Sequence, residues 1–245
     1  MRPARPRPAA RPVSTVSLTR LVSWSGALAF VASLAYGIRA YVVHFDEVAP
    51  PGSEWVGDAA INVLLFTTFA LHHSVLARSG VKDRIAAAVG ETLERPLYVW
   101  LSSVLFFLCC WLWRPLPGAL YTWPSAWHPA MIGLQWLGAV VTALAARRLD
   151  VLALAGVRAA TPDAPRPLET SGLYGLVRHP IYFGWILLVL PAPVMTYTRA
   201  TFAFVSIAYL VAAVPFEERG LVAVYGDAYR DYQRKVRARL VPGVY

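Results

Sequence analysis

The segment Gly172-Leu-Tyr-Gly-Leu-Val-Arg-His-Pro-Ile-Tyr-Phe-Gly184 carries the residue types with the clearest chemical use. Pro180 lacks a backbone N–H and suits the first turn of a helix, so a helix is predicted to begin near His179–Pro180. A helix start has free N–H groups and a partial positive charge, and the guanidinium of Arg178 matches a carboxylate with two parallel hydrogen bonds. This helix end is therefore expected to bind an anionic group.

Further groups near this segment complement a ligand that carries positive charge. Tyr174 and Tyr182 offer hydroxyls and aromatic faces that attract a sulfonium or an ammonium. Later in the chain an apolar run ends in two adjacent carboxylates, Glu217 and Glu218, which suit an amine or the hydroxyls of a ribose. Three glycines let the backbone approach such a ligand closely: Gly172, Gly175 and Gly184. We expect the two segments to meet and to hold opposite ends of one small molecule.

Each of these groups also has a purely structural explanation. Arg178 can serve as one more basic residue beside a membrane helix, and His179 can cap a helix. Glu217 and Glu218 can mark the end of an apolar helix, or pair with arginines of the C-terminal tail. None of these features is specific when it is taken alone.

The elements that carry these residues are predicted to be membrane helices, because 57% of the chain is hydrophobic and the apolar residues form long runs. The fold class is therefore all-α, a polytopic membrane bundle of about six transmembrane helices. The fifth run contains Pro191 and Pro193, so it is expected to be kinked or re-entrant. The six runs are 21–43, 57–76, 97–113, 129–146, 181–196 and 200–216.

The formal charge of +9 follows membrane orientation rather than nucleic-acid binding. With six spans and the N-terminus inside, all but three of the 23 Lys and Arg residues fall on the inner side. The three exceptions are Arg39, Arg114 and Arg199. We expect an integral protein of the bacterial inner membrane with both termini in the cytoplasm.

The chain divides into a disordered basic tail over residues 1–20 and a single domain over residues 21–245. The tail is rich in Arg and Pro, which cannot form a core. A charged start before an apolar run also resembles a signal peptide, but the run is too long for one. The longest inner loop, 147–180, leads directly into the Arg178 segment, which favours a functional role for it.

The C-terminal part, 217–245, is predicted to be a cytoplasmic amphipathic helix. Its apolar residues recur every three or four positions, and basic residues fill much of the remaining surface. Such a helix lies on the inner membrane surface or folds back over the loops. The stripe consists of Leu221, Tyr225, Tyr229, Tyr232, Val236 and Leu240.

The two cysteines are predicted to be packing residues rather than metal ligands. Cys109 and Cys110 are adjacent, so they point about 100° apart on a helix, and no Cys/His spacing typical of a metal site occurs. No metal is therefore expected.

Two spaced blocks resemble the integral-membrane methyltransferases, a family that includes isoprenylcysteine carboxyl methyltransferase, the phospholipid N-methyltransferases and bacterial relatives. The blocks are the segment 172–184 and Glu-Glu-Arg-Gly-Leu-Val-Ala-Val-Tyr-Gly-Asp-Ala-Tyr-Arg-Asp-Tyr over 217–232. The resemblance extends over residues 169–242. It implies that this part forms the pocket for S-adenosylmethionine. By resemblance the pocket residues are Arg178, His179, Pro180, Tyr182, Glu217 and Glu218, with Gly172, Leu173 and Tyr174 as backbone contacts.

The first half is similar to bacterial methanethiol S-methyltransferase and NnrU-like proteins within this family. The similarity rests on Phe69–Arg78, Glu94–Tyr98 and Trp111–Pro115. That subgroup has Gln-His-Ser where this chain has His72-His73-Ser74, which leaves the acceptor open. His73 is expected to take a proton from a thiol or to orient the acceptor, and Arg178 is the second predicted catalytic residue. The alternative for His73 is a structural bond to a neighbouring polar group.

The reaction implied is the transfer of a methyl group to a small-molecule or lipid acceptor, either a thiol or a prenylcysteine-type carboxylate. The protein must hold the nucleophile and the methyl carbon in line and away from water. The partners expected are this acceptor and the lipid bilayer, with no nucleic acid and no obligate protein partner.

Two other function classes compete with methyl transfer. One is a haem-binding, non-enzymatic protein of a respiratory or nitrogen-oxide pathway, with ligands among His72, His73, His128 and His179. His128 falls on the outer side and the other three toward the inner side, which argues against pairing with it. The other is a transporter, but no inverted repeat is evident in the sequence.

Overall fold

A computed structural model describes residues 13–50, 54–76, 78–158 and 167–245. Most of the predicted tail, residues 1–12, and part of the long inner loop, residues 159–166, lie outside the described residues. Residues 13–20 were expected to belong to the tail but form the first turns of a helix. The reason is that no Pro or Gly follows Pro12 in this stretch, so nothing prevents the helix from starting there.

The described part of the chain is almost entirely helical, as predicted. Its α-helices are α1 (Val13–Val42), α2 (Trp55–Leu76), α3 (Ser79–Val89), α4 (Glu91–Trp111), α5 (His128–Ala146), α6 (Val151–Leu154), α7 (Pro180–Val189), α8 (Tyr197–Tyr225) and α9 (Asp227–Lys235). Two short strands, β1 (Ala119–Thr122) and β2 (Val194–Thr196), pair antiparallel. This small pairing is the one departure from an all-α description among these residues.

Five helical segments are long and apolar enough to cross a membrane, and they match five of the six predicted runs. The segments are Leu18–Asp46, Trp55–Leu76, Glu91–Trp111, Ser125–Ala146 and Tyr197–Tyr225. Large apolar side chains such as Leu28, Trp136 and Phe204 are exposed on them, as expected for surfaces that face lipid. The chain is therefore an integral membrane protein.

The fifth predicted run is a broken segment, which confirms the expectation that it is not a straight helix. Its helical part, α7, has ten residues and is about 15 Å long, half of the hydrocarbon thickness of a bilayer. Beyond Val189 the chain continues without a helix into β2. His179, just before α7, lies within 3.3 Å of Glu218 near the end of α8, whereas β2 adjoins the start of α8. The segment therefore runs alongside α8 between the level of Glu218 and the start of that helix.

The carbonyl groups freed where α7 ends are bound by side chains from other elements. The hydroxyl of Tyr41 donates to the carbonyl of Val189, and that of Tyr121 donates to Leu190 O at 2.8 Å. Backbone that is not helical is tolerated at membrane depth only when such partners satisfy it. The break in the fifth segment is thus built into the packing.

Helices α5 and α7 touch backbone to backbone through Gly138 and Gly184. A Cβ atom added at Gly138 would lie 2.5 Å from Gly184 O, and one added at Gly184 would lie 2.7 Å from Gly138 O. Small residues allow this close approach in membrane helix pairs. Gly184 therefore serves helix packing, not the approach of a ligand that its sequence position suggested.

An aromatic core joins α1, α2, α4 and α8. Phe202 is 1% exposed and has its ring within 6 Å of the rings of Tyr41, Phe45, Phe66 and Trp113. Cys109 and Cys110 are buried in the same cluster with free thiols, in agreement with the packing role predicted for them.

The C-terminal part folds back onto the protein instead of forming one continuous helix. Gly226, with φ of 58°, separates α8 from α9, and the helix ends at Lys235. Tyr229, Tyr232 and Leu240 of the predicted apolar stripe are buried against the protein. Contact of this region with a membrane surface stays a prediction.

Candidate functional site

The turn before α7 forms where the sequence predicted it, with Pro180 as the first helical residue and His179 as the cap. The backbone N–H groups of Arg178 and His179 donate to Ala238 O and Arg239 O, both at 3.0 Å. The C-terminal tail therefore holds this turn in place through two main-chain hydrogen bonds.

The guanidinium of Arg178 is buried and largely engaged within the protein. Its Nε donates to Glu218 Oε1 at 2.6 Å, and its Nη1 donates to Val236 O at 2.6 Å and Arg237 O at 2.9 Å. These bonds use three of the five N–H groups that an arginine has. The two N–H groups of Nη2 have no hydrogen-bond partner among the described residues.

Glu218 is the buried centre of a polar group, which we name the Arg178 cluster: Arg178, His179, Glu218, Gln233 and Arg239. Oε1 of Glu218 lies 3.3 Å from His179 Nε2, and Oε2 accepts from Gln233 Nε2 at 3.1 Å. The Nε of Arg239 lies 3.6 Å from Oε2. Glu218 thus joins the turn before α7 to the end of α8 and to the tail.

The neighbouring acid, Glu217, has a different environment. Its side chain is 43% exposed, and its Oε2 accepts a hydrogen bond from the hydroxyl of Tyr182 at 2.8 Å. The ring of Tyr182 stacks on that of His179 with the centroids 5.4 Å apart. Glu217 is therefore an oriented carboxylate that is open to a ligand, whereas Glu218 is already neutralised.

A cavity of about 890 Å³ lies beside this cluster. One side of it comes from the last third of the chain and includes Arg178, His179, Pro180, Tyr182 and Glu217, together with Tyr174 and the aromatic residues of α9. The rest of the lining comes from α1, from α3, from the start of α4 and from the loop that follows α5. The volume lies within the range of small-molecule and cofactor sites.

Two of the three predicted backbone contacts do not reach this cavity. Gly172, Leu173 and Tyr174 form a single 3-10 turn, and Tyr174 lines the cavity while Gly172 and Leu173 are not among its lining residues. The carbonyl of Tyr174 accepts a hydrogen bond from Tyr232 at 2.6 Å. Burial, followed by the negative charges of Glu217 and Glu169, raises the pKa of Tyr174 to about 12, so this phenol stays neutral at physiological pH.

His73 also lies away from the cavity surface. Its Nδ1 is 2.9 Å from the hydroxyl of Tyr98, which matches the structural alternative stated above. The guanidinium of Arg95 lies 5.0 Å from the centre of the Tyr98 ring, and Arg95 lines the cavity. His73 and Tyr98 thus form a layer behind the cavity wall.

The described residues contain no group of three or more His, Cys, Asp and Glu side chains that is arranged to hold a metal ion. His179 contacts both carboxylates of the Glu217–Glu218 pair, and His73 contacts Tyr98. His128 lies 2.9 Å from Trp123 O, beside the β1–β2 pair at the other end of the bundle. No observation favours the haem alternative.

Two polar atoms at the cavity were missed by the sequence interpretation. Oε1 of Glu94 and the hydroxyl of Tyr229 are buried and have no hydrogen-bond partner among the described residues, and both residues line the cavity. Glu94 resembles an ordinary acidic residue in the first turn of a helix, and Tyr229 resembles one position of an apolar stripe. Only the packing around them distinguishes them from such residues.

Comparison with known proteins gives relatives over nearly the whole chain. Methanethiol S-methyltransferase 2 of Bradyrhizobium diazoefficiens is 34% identical over 241 residues, covering 94% of this chain and 91% of the relative. Methanethiol S-methyltransferase of Mycobacterium tuberculosis is 33% identical over 226 residues, covering 89% and 90%. The protein-S-isoprenylcysteine O-methyltransferase of Dictyostelium discoideum is 30% identical over 86 residues, about a third of each chain. No family model and no solved structure matches.

Proposed function

The chain belongs to the methanethiol S-methyltransferase family, and we propose that it transfers the methyl group of S-adenosylmethionine to a small thiol. It is an integral membrane methyltransferase. The observation that carries the finer proposal is the cavity, which is lined by Glu217, by Arg178 and by several tyrosines. These groups form a site for a zwitterion with an additional positive charge.

The residues present fit the proposed donor. Nη2 of Arg178 is suited to the carboxylate of the amino-acid part, and the adjacent Glu217 is suited to its ammonium. Tyrosine faces attract a sulfonium through cation–π interaction. S-adenosylmethionine, when bound, supplies an electrophilic methyl group on such a sulfonium. The protein's part is to hold this methyl group and the acceptor in line and to exclude water.

We propose a thiol acceptor because the relatives named for methanethiol match most of the chain, whereas the isoprenylcysteine-type relative matches about a third of it. In the reaction a new C–S bond forms at the acceptor while the bond between the methyl carbon and the sulfonium breaks. The thiol loses its proton. A prenylcysteine-type carboxylate is the alternative acceptor.

His73 is proposed to position the acceptor and to receive its proton through Tyr98. The support is the contact of 2.9 Å between His73 Nδ1 and the Tyr98 hydroxyl, together with the position of Tyr98 behind Arg95 of the cavity wall. A thiolate needs little help from a base, so His73→Gln is expected to lower kcat mainly below the pKa of the thiol. Equal losses at all pH values would contradict this role.

We propose that the Arg178 end of the bundle faces the cytoplasm of a bacterial cell, at its inner membrane. The support is the concentration of basic residues at this end, from Arg219 to Arg239, against the acidic Asp46, Glu47 and Glu54 near the other end. A reporter that is active only in the cytoplasm is expected to give a signal when it is fused to either terminus. A periplasmic signal at either terminus would contradict the orientation.

The test of the proposed function uses purified protein in detergent and measures two quantities. The first is the affinity for S-adenosylhomocysteine, and the second is the transfer of radiolabel from S-adenosylmethionine to methanethiol, a prenylcysteine or an amino phospholipid. We expect label on methanethiol. In Glu217→Gln we expect the affinity to fall about ten- to hundredfold, the loss of one charge-assisted hydrogen bond.

The matched control is Glu47→Gln, an exposed glutamate at the other end of the bundle, which should bind as the unaltered protein does. Radiolabel on the prenylcysteine alone would show that the acceptor is a prenylcysteine and not a small thiol. The proposal of methyl transfer itself would stand. Failure of the unaltered protein to bind S-adenosylhomocysteine would remove the proposed function.

A further inference from the structure

Glu94 is an acidic residue of the donor cavity that comes from the first half of the chain. It lies in the first turn of α4 and lines the same cavity as Arg178 and Glu217. Its Oε1 is shielded from solvent and has no hydrogen-bond partner among the described residues. Because a buried carboxylate oxygen without a partner costs free energy, its retention at a cavity points to a partner that is supplied by a ligand.

The start of α4 is held firmly enough to orient this carboxylate. Gly156 of the inner loop, with φ of 73°, packs against Pro96, and a Cβ atom added at Gly156 would lie 3.0 Å from Pro96 Cα. The loop therefore contacts α4 two residues beyond Glu94. This contact connects the α4 side of the cavity to the chain that leads toward Arg178.

Tyr229 supplies a second orphaned polar atom, from the other half of the chain. The residue is 1% exposed and its hydroxyl has no partner in the part of the chain that the structure describes, whereas the hydroxyl of the neighbouring Tyr232 donates to Tyr174 O at 2.6 Å. Both rings line the cavity. The two unpaired atoms therefore belong to different elements, α4 and α9, that border the same space.

The chemical groups of the methyl donor, S-adenosylmethionine, indicate which of them Glu94 binds. A carboxylate oxygen accepts hydrogen bonds, and the proposed donor has three sets of donating groups: the ammonium, the adenine amino group and the ribose hydroxyls. Of the two neutral sets, the neighbouring ribose hydroxyls offer two O–H groups that match the two oxygens of one carboxylate. The ammonium is adjacent to the carboxylate of the amino-acid part, so it belongs with the pair of Arg178 and Glu217. We propose that Glu94 binds the ribose hydroxyls, so that the donor is held between the two halves of the chain.

This inference rests on the proposed function and assigns a residue outside the segment 169–242 to the donor site. The C-terminal third alone would not make a complete donor site.

The experiment measures the affinity of purified protein for 5′-methylthioadenosine and for its 2′,3′-dideoxy analogue, neither of which has the amino-acid part. The unaltered protein is expected to prefer the compound with hydroxyls by about tenfold or more. In Glu94→Gln the affinity for 5′-methylthioadenosine should fall about tenfold while that for the dideoxy analogue stays the same. The preference for the hydroxyls should therefore disappear.

Matched variants separate the possible outcomes. Asp83→Asn removes an exposed carboxylate of α3 outside the cavity and should keep the preference. Glu94→Asp keeps the charge but shortens the side chain by one methylene, so it should also weaken the preference for the hydroxyls. This variant provides the test if Glu94→Gln does not fold. A preference that survives in Glu94→Gln, or an unaltered protein that binds both compounds equally, would overturn the inference. Failure of the unaltered protein to bind S-adenosylhomocysteine would instead overturn the proposed function.

Discussion

Arg178 and Arg199 are two buried arginines at opposite ends of α8 that hold backbone carbonyls and a carboxylate in similar ways. We name the second group the Arg199 cluster: Arg199, Tyr41, Val42, Asp46 and Val194. Arg199 donates from Nε to Tyr41 O at 3.0 Å, from Nη2 to Val42 O at 2.7 Å and from Nη1 to Asp46 and Val194 O. Along α8, Arg199 and Glu218 are about 28 Å apart, close to the hydrocarbon thickness of a bilayer.

The two clusters differ in how many N–H groups of the arginine are bound by the protein. All three nitrogens of Arg199 are engaged with the protein, and two of the carbonyls belong to the C-terminal end of α1, which lacks intrahelical partners there. Arg178 makes no such bond from Nη2 to any described residue, and it borders a cavity. The same residue type thus closes a helix end near one end of α8 and borders a cavity near the other.

The largest expected effect comes from removing the two arginines separately. Arg178→Ala leaves Glu218 buried without its cation, which is expected to lower the free energy of unfolding by about 3–5 kcal/mol and to abolish donor binding. Arg199→Ala should lower the free energy of unfolding by about 2 kcal/mol or more through lost carbonyl bonds. It should leave donor affinity unchanged in the folded protein, since distant sites act independently.

The measurement combines thermal unfolding in detergent with the affinity for S-adenosylhomocysteine at a temperature where both variants are folded. Loss of S-adenosylhomocysteine binding in Arg199→Ala would show that the Arg199 cluster and the Arg178 cluster do not act independently. Retained binding in a folded Arg178→Ala would remove Arg178 from the donor site.

The next largest effect is expected to distinguish Glu218 from the adjacent Glu217. Glu218→Gln weakens a buried pair whose side chains are 5% and 6% exposed, and it is expected to lower the free energy of unfolding by about 3 kcal/mol. Glu217→Gln should lower it by less than about 1 kcal/mol, because the Glu217 side chain is 43% exposed, and should act mainly on binding. Unfolding curves of the two variants would decide this. Equal loss of stability would contradict the division of roles.

A smaller effect is expected from the two tyrosines of α9. Tyr232→Phe leaves the carbonyl of Tyr174 without its hydrogen bond and should lower the free energy of unfolding by about 1 kcal/mol. Tyr229→Phe removes a hydroxyl that has no partner, so it should not lower the free energy of unfolding but should weaken donor binding. Calorimetric titration with S-adenosylhomocysteine measures the affinity of both variants, and their unfolding curves measure the stability. A destabilised Tyr229→Phe would mean that its hydroxyl has a partner within the protein.

The smallest effect is expected at the acid of the Arg199 cluster. The Asp46 side chain is 49% exposed, so Asp46→Asn should lower the free energy of unfolding by only about 0.2–1 kcal/mol and leave donor binding intact. The contrast with Glu218→Gln measures how much burial adds to an otherwise similar ion pair. Comparable losses in the two variants would contradict the role given to burial.

Much of the fold was predictable from the sequence because it depends on local properties. Long apolar runs fix the number and position of the membrane helices, since each must satisfy its backbone internally. Pro180 sets the start of α7 because it suits the first helical position, and Pro191 and Pro193 follow the break in the fifth segment. These features need no knowledge of what packs against them.

The roles of individual site residues were less predictable. Glu217 and Glu218 are adjacent and of the same type, but neighbours on a helix point about 100° apart, so Glu218 pairs with Arg178 whereas Glu217 accepts from Tyr182. Gly184 was expected near a ligand and instead contacts α5. His73 was expected to act directly and instead contacts Tyr98 behind the wall of the cavity.

The sequence by itself determined that the chain is a membrane bundle, and it predicted that the Arg178 turn and the Glu217–Glu218 pair meet. Apolar length, a proline at a helix start and ionisable groups at helix ends act locally, so they can be recognised one segment at a time. Only the tertiary structure decided that Glu218 neutralises Arg178, that Glu217 stays open and that Glu94 borders the same cavity. These facts depend on how the tail and α4 pack around one space, which no local pattern encodes.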